Sequence, residues 1–239
     1  MKIALIGYGK MGHEVELAAL ARNHQIVLII DKDNQSDLTH ENITKADVAI
    51  EFSTPRTAFQ NIKACLESGV PIVAGTTGWL DDLDEAKQIA VNSKASLFYA
   101  SNYSIGVNVL FRVVKVLSTY LNSVKGYTPA IKEIHHTQKL DAPSGTAISL
   151  AQIIAESIDE LNGWTLLPEA DAKKIPIEAI REGVVPGTHI IKFESEHDEI
   201  TLTHRAKNRK GLALGAVLAA EFLIGKNGFF TMDDLLSFK

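Results

Sequence analysis

The residues with the clearest chemical capacity lie in one continuous stretch. Residues 133–147 read Glu-Ile-His-His-Thr-Gln-Lys-Leu-Asp-Ala-Pro-Ser-Gly-Thr-Ala. Two imidazoles, His135 and His136, can take up or donate a proton near neutral pH, and Lys139 adds a positive charge and a second proton source. Ser144 is suited to cap a helix beginning at the next residue, and the backbone N–H groups of Gly145 and Thr146 would then point outward as a nest for an anion. If the chain is still extended at His135 and His136, their rings face opposite sides. That disfavours a two-histidine chelate, and no Cys or Asp/Glu cluster is visible to complete one, so no metal is expected. The pattern predicts proton transfer on a small anionic molecule held by a helix N-terminus; the bland alternative is a capped helix with surface histidines.

A second constellation opens the chain. Gly7-Tyr8-Gly9-Lys10-Met11-Gly12 is a G-x-G-x-x-G that follows the apolar run 3–6 and starts an amphipathic stretch reaching residue 21. After a strand and before a helix, such a loop has a mechanical purpose. Gly7 permits the tight turn, Gly9 removes a side chain that would block a pyrophosphate, Gly12 allows close helix–strand packing, and the helix N-terminus offers unpaired N–H groups. Asp31 ends the second apolar run, roughly 20 residues past the last glycine, where a carboxylate accepts from ribose hydroxyls and repels a 2′-phosphate. That favours NADH, while Lys32 beside it could neutralise a 2′-phosphate and admit NADPH. Two polar loops end later apolar runs on the same sheet edge: Gly75, Thr76, Thr77 and Gly78, then Ala100, Ser101, Asn102 and Tyr103. Both are expected to border the nicotinamide and its ribose.

These sites need elements to position them. Apolar runs at 3–6, 26–30, 48–52, 72–74 and 97–99 alternate with helical patterning, which predicts a parallel, doubly wound α/β sheet of Rossmann type, its strands covered on both faces. After residue 102 the pattern changes to a long helix over 105–121, an extended segment over 127–135, a helix over about 146–158, and extended runs at 175–180, 189–194 and 199–204. This predicts a smaller α+β domain with a mixed sheet. A last helix follows over about 210–224, with a short Phe-, Met- and Leu-containing tail able to pack back on the first domain. The change of pattern sets boundaries near residues 104 and 208, with 1–104 expected to bind the dinucleotide and 105–208 the substrate. The reacting groups then belong to different domains, and a hinge near residues 102–104 and Arg209 is expected to close them together.

Composition narrows the classes. The chain has 239 residues, 46% hydrophobic and 22% charged, as in ordinary globular proteins. A net charge of -5 and the absence of a Lys/Arg run disfavour nucleic acid as a partner. The lone cysteine, Cys65, excludes an internal disulfide. The longest apolar run, 212–225, is shorter than a bilayer span and contains Glu221, and the first is too short for an export signal, so neither membrane nor secretion is expected and the cytoplasm is.

The motif E-x-H-H-x-x-K-x-D-A-P-S-G-T-A resembles the signature of the dihydrodipicolinate (4-hydroxy-tetrahydrodipicolinate) reductases of lysine and diaminopimelate synthesis. The glycine fingerprint, Gly75-Thr76-Thr77-Gly78, Ser101-Asn102-Tyr103-Ser104-Ile105-Gly106-Val107-Asn108, Arg181-Glu182-Gly183 with Gly187-Thr188-His189, and His204-Arg205-Ala206 extend the likeness over nearly the whole chain. The resemblance implies His135 as general acid/base, Lys139 as proton donor, and His136, Ser144, Gly145 and Thr146 as substrate contacts. It implies a dinucleotide held by Gly7, Tyr8, Gly9, Lys10, Met11, Gly12, Asp31, Lys32, Gly75, Thr76, Thr77, Ala100, Ser101, Asn102 and Tyr103. It further implies hydride transfer to a cyclic imine dicarboxylate with loss of water, a homotetramer built through the second domain's sheet, and a last helix packed back on the nucleotide domain, so that 1–104 with 209–239 form the dinucleotide-binding domain and 105–208 the substrate-binding and oligomerisation domain. The glycine loop departs from the family in being one residue shorter and carrying Lys10 where Arg is usual, which bears on NADPH use.

Two rival functions fit the first domain alone. A Rossmann amino-acid dehydrogenase, or a non-catalytic NADH-sensing module, needs the glycine loop but has no use for the His-His-Lys and Ser-Gly-Thr array.

Overall fold

The computed structural model describes residues 1–237. The apolar runs form strands β1 (Lys2–Ile6), β2 (Gln25–Ile30), β3 (Val48–Glu51), β4 (Ile72–Ala74) and β5 (Ser96–Tyr99), joined by helices α1 (Lys10–Ala21), α2 (His40–Ile43), α3 (Pro55–Glu67) and α4 (Leu83–Asn92). Every pairing among them is parallel. All residues of β3 and β4 are buried, as strands covered on both faces must be. Ala4, Ile6, Ala49, Ile72 and Ala74 share one core with Ala58 and Ile62 of α3 and with Ala86 and Ala90 of α4.

A second compact unit, Ile105–Arg209, begins with α5 (Ile105–Val124). It continues through β6 (Thr128–His135), α6 (Gly145–Ser157), β7 (Trp164–Leu166), β8 (Ile175–Arg181), β9 (Thr188–Glu194) and β10 (Glu199–Arg205). The sheet is mixed, in the order β10-β9-β6-β8-β7, with β9 antiparallel to both β10 and β6, and β8 parallel to both β6 and β7. Leu110 and Val114 of α5 and Ala147, Leu150 and Ile154 of α6 cover one face, meeting Ile131, Ile177, Ile191 and Phe193.

The chain then rejoins the first unit, Met1–Ser104 with Lys210–Lys239, through α7 (Lys210–Leu223), β11 (Gly228–Phe230) and α8 (Met232–Leu235). Helix α7 packs on α1 and on the sheet, and β11 adds a sixth parallel strand beside β5, giving β11-β5-β4-β3-β1-β2. The order reverses at β1, whose neighbours are β2 on one side and β3 on the other. A crevice outside the carboxyl ends of β1 and β3 is where doubly wound sheets receive ligands. Strands β7 and β11 are not among the expected elements: each is a short, partly exposed strand at a sheet edge, unlike three-residue β4, whose residues are all buried and apolar.

Candidate active site

The chemistry of the second unit is organised by a buried glutamate. Strand β6 alternates in exposure, and its buried face carries Ile131, Glu133 and His135. Glu133 is fully buried, so its carboxylate must be compensated. The backbone N–H of Ser144 donates to both carboxylate oxygens, at 3.0 and 3.2 Å, and Nη2 of Arg181 donates to Oε1 at 3.1 Å. His135 Nδ1 and His189 Nε2 lie 3.5 and 3.7 Å from Oε2. Ser144 Oγ caps α6 by accepting from the N–H of Ala147, and it also lies 3.2 Å from His189 Nε2. Glu133 therefore joins strand β6 to the start of α6, and the exposed Gly145 and half-exposed Thr146 form that helix's first turn.

The loop between them is stapled from the other side. Arg181 donates to the carbonyl oxygens of Lys139 at 3.3 Å and of Asp141, which holds the loop against β8. Lys139 Nζ contacts both Asp141 oxygens, at 2.8 and 2.7 Å, and this ammonium holds the Asp141 carboxyl below the usual carboxylate range. His136 follows the last residue of β6 and is half-exposed, whereas His135 lies on the buried side.

Burial dominates the imidazoles. It pushes His135 below the ordinary histidine pKa, outweighing the attraction of Glu133. His189, more enclosed, is pushed down to about 4 by burial and then by His135. Both rings are neutral at pH 7, the state in which His135 can accept a proton. Glu133, His135 and His189 also bring three ligand atoms within 4.8 Å of one another, a cluster that sequence spacing did not reveal and a correction to the expectation that no such group forms. The guanidinium of Arg181 supplies a cation to the same carboxylate at 3.1 Å.

In the first unit the glycine turn has the geometry expected of a dinucleotide loop. Gly7 has φ +88°, donates to the carbonyl of Ile30 at 2.8 Å, and leaves no room for a side chain, since a Cβ there would fall 2.1 Å from the carbonyl oxygen of Phe52. Gly9 caps α1 without a side-chain hydrogen bond, and a Cβ on it would meet nothing within 4 Å. Open space at an uncapped helix N-terminus fits a pyrophosphate. Asp31 Oδ1 lies 3.4 Å from the N–H of Tyr8, beside that turn. Tyr8 itself donates to Glu16, and its ring meets that of His13 at a tilt, with centroids 4.0 Å apart. Lys10 and Lys32 are exposed, and Met11 is half-exposed.

The comparisons with known proteins agree with this architecture. Residues 1–103 match the family model described as dihydrodipicolinate reductase, N-terminus, and residues 106–236 match dihydrodipicolinate reductase, C-terminus. The chain belongs to the dihydrodipicolinate reductase family. It is 50% identical over 238 residues to a 4-hydroxy-tetrahydrodipicolinate reductase of Christiangramia forsetii, covering 99% of this chain and 98% of the relative. It is 36% identical over 246 residues to one from Staphylococcus carnosus, covering 98% and 99%. A solved dipicolinate-bound dihydrodipicolinate reductase from Paenisporosarcina sp. TG-14 superposes with a TM-score of 0.79 at 25% identity, covering 97% of each chain.

Within the dihydrodipicolinate reductase framework, the residues named from sequence separate into two groups. His135, His136, Lys139, Ser144, Gly145 and Thr146 gather at the end of β6 and the start of α6. Gly7, Gly9, Asp31, Gly75, Thr77 and Ser101 lie in turns at the carboxyl ends of the parallel strands. Two side chains in those turns face inward and are not available to a ligand. The Tyr103 hydroxyl donates to the carbonyl of Ala74 at 2.7 Å inside the core, and that of Thr76 donates to Glu51 at 2.9 Å. Buried Ala100 and the Asn102 side chain, which accepts from the N–H of Ser104 at 2.8 Å, shape the turn after β5. Sequence reasoning assigned no role to Glu133, Arg181 or His189; the strand period alone, with Glu133 between Ile131 and His135, places the glutamate on the buried face.

Proposed function

We propose that the protein reduces 4-hydroxy-tetrahydrodipicolinate to tetrahydrodipicolinate with a reduced nicotinamide nucleotide and releases water, a step of diaminopimelate and lysine formation. One observation carries the reading: Glu133 fixes His135, Lys139's loop and the α6 N-terminus as a single proton-handling, anion-receiving array. The dipicolinate held by the solved relative has the same two-carboxylate chemistry. The first turn of α6, at Gly145 and Thr146, receives one substrate carboxylate, with Ser144 shaping that turn. His136 and Lys139 face the ring and its second carboxylate, Lys139 exchanging Asp141 for the substrate. When bound, the nicotinamide supplies the hydride. The ring takes that hydride and one proton as its hydroxyl leaves as water; His135 and Lys139 handle the proton, and the array excludes water and orients the ring.

Gly7, Gly9 and Gly12 admit the pyrophosphate, and Asp31 accepts from the adenosine ribose. The exposed Lys10 and Lys32 supply charge for a 2′-phosphate, so both NADH and NADPH serve, with NADH favoured by Asp31. The outer face of the mixed sheet carries half-exposed Ile134, Ile180 and Ile190, uncovered by either helix of its unit, and this face joins copies into a homotetramer. Among the described residues no helix is long and apolar enough to cross a membrane, and we assign the enzyme to the cytoplasm.

The test is a coupled turnover assay. Substrate formed in situ by condensing pyruvate with aspartate semialdehyde should cause loss of reduced-nicotinamide absorbance with either cofactor. No loss with both cofactors, from folded protein that binds them, sinks the proposal. Light scattering on the same sample checks the tetramer.

A further inference from the structure

The first unit contains a second buried glutamate, and its surroundings are unlike those of Glu133. Glu51 ends β3 in the middle of the parallel sheet, level with Ile6 of β1 and Ala74 of β4, and is fully buried. Desolvation by burial dominates its carboxyl, opposed by hydrogen bonds from Ser53 and Thr76, and its Oε2 has no protein hydrogen-bond partner. All its hydrogen bonding goes through Oε1, which accepts from the backbone N–H of Ser53 at 2.8 Å, from the Ser53 hydroxyl, and from the Thr76 hydroxyl at 2.9 Å. The Ser53 N–H is shared with Thr76 Oγ1, also at 2.8 Å. One oxygen thus ties the turn after β3 to the loop after β4.

The tie extends further. The Asn61 amide donates to Ser53 Oγ at 3.1 Å, and the Gln35 amide donates to Asn61 Oδ1 at 2.8 Å. Gln35 belongs to the segment after β2 that also carries Asp31. The loop after β4 is clamped from two more directions: the Phe52 ring fills the space where Gly75 would bear a Cβ, and the Trp79 indole N–H donates to the Thr76 carbonyl at 2.8 Å. Thr77 and Gly78 are exposed, and Gly75 is half-exposed.

We propose that Glu51 is a positioning residue for the nicotinamide nucleotide, its Oε1 locking the turns after β3 and β4 into one rigid rim along the carboxyl edge of the sheet. A fully buried carboxyl held by neutral donors, with one oxygen unpartnered, is costly unless its hydrogen bonds accomplish something a packed apolar side chain could not. Here they link the loop after β4 to the turn after β3, a connection that the Phe52 and Trp79 contacts do not supply. Burial raises the Glu51 pKa against the pull of Ser53 and Thr76. The inference rests on reading Gly75, Thr76 and Thr77 as part of the nucleotide site.

The experiment measures NADH binding to the full-length protein by fluorescence titration without substrate, alongside steady-state kinetics. Glu51→Ala should raise Kd and KM for NADH about tenfold while kcat at saturating NADH changes less than about threefold; Glu51→Gln, which keeps the acceptor, should recover Kd to within about threefold of the parent. Thr76→Val, which removes one arm only, should shift Kd the same way to a smaller extent and serves if Glu51→Ala does not fold. A merely structural role would lower the thermal midpoint and leave Kd unmoved. Thr77→Glu places a negative charge on the exposed rim and reports on the underlying reading: unchanged NADH binding there means the loop is outside the nucleotide site. Weakened binding in Thr77→Glu with parental Kd in folded Glu51→Ala and in Thr76→Val overturns the positioning role alone.

Discussion

Glu133 and His189 stand opposite each other on antiparallel β6 and β9, and their side chains meet on the face covered by α6, with His189 Nε2 3.7 Å from the glutamate. The imidazole gains little from this neighbour. Burial and His135 together hold it at a pKa of about 4, against an ordinary value of 6.5. The unfolded chain therefore binds a proton at His189 more readily than the folded one between these values. Stability from this residue is complete above pH 6.5 and is lost as pH falls toward 4, by up to about 3 kcal/mol. Denaturant melts at pH 7 and pH 4.5 check this: His189→Gln should lose less stability between the two than the parent. An equal loss in both proteins would mean that the ring is not held neutral.

Glu133 serves two masters, the α6 N-terminus and His135. Glu133→Gln keeps the shape but removes the charge that draws the His135 pKa upward, so the acid limb of the rate profile should move to lower pH. It also sets an amide against Arg181, and kcat should fall about tenfold or more. Glu133→Ala leaves Arg181 and the Ser144 N–H without their partner and should destabilise the protein by about 3 kcal/mol. Rate–pH profiles of the Gln variant and melts of the Ala variant measure the two effects separately. An acid limb that stays in place would break the link between Glu133 and His135.

Legibility in the sequence followed physical rules. Interior parallel strands covered on both faces appear as largely apolar runs, which makes β1, β3, β4 and β5 plain, while half-exposed edge strand β2 is plain from its aliphatic run, and the cap at Ser144 can be read from its residue type. The short edge strands β7 and β11 are only partly buried and carry neither a buried apolar run nor a period, so they are not plain. The site's support was hidden for a different reason. Arg181 and His189 reach Glu133 because β8 pairs His135 with Arg181 and β9 pairs Glu133 with His189. Such register is a long-range property with no local signature. The inward turn of Tyr103 and Thr76 was equally invisible, since polar loop residues look alike whether they face a ligand or the core.

His135 and Lys139 should separate chemistry from nucleotide binding. His135→Gln removes a neutral, buried base and should lower kcat about a hundredfold, with Kd for NADH unchanged within about twofold. Lys139→Met removes a proton source and a carboxylate partner, so kcat should fall and substrate KM should rise together. Stopped-flow single turnovers with saturating NADH read the chemical step directly. A His135→Gln protein that turns over at the parental rate removes His135 from catalysis.

The glycine turn allows packing and ligand binding to be told apart by two methyl groups. Gly7→Ala would drive a Cβ to within 2.1 Å of the Phe52 carbonyl oxygen at a residue with φ +88°, so the turn must open and stability should drop by about 2 kcal/mol or more. Gly9→Ala meets no protein atom within 4 Å and adopts an ordinary φ of -81°, so the folded protein should tolerate it with its thermal midpoint nearly unchanged. Its methyl group instead enters the space at the α1 N-terminus where the pyrophosphate would sit. NADH should therefore bind about tenfold or more weakly to Gly9→Ala, although nothing in the protein is disturbed. Parallel melts and NADH titrations of the two variants decide the matter: parental NADH affinity in Gly9→Ala would show that the pyrophosphate does not pass over this turn.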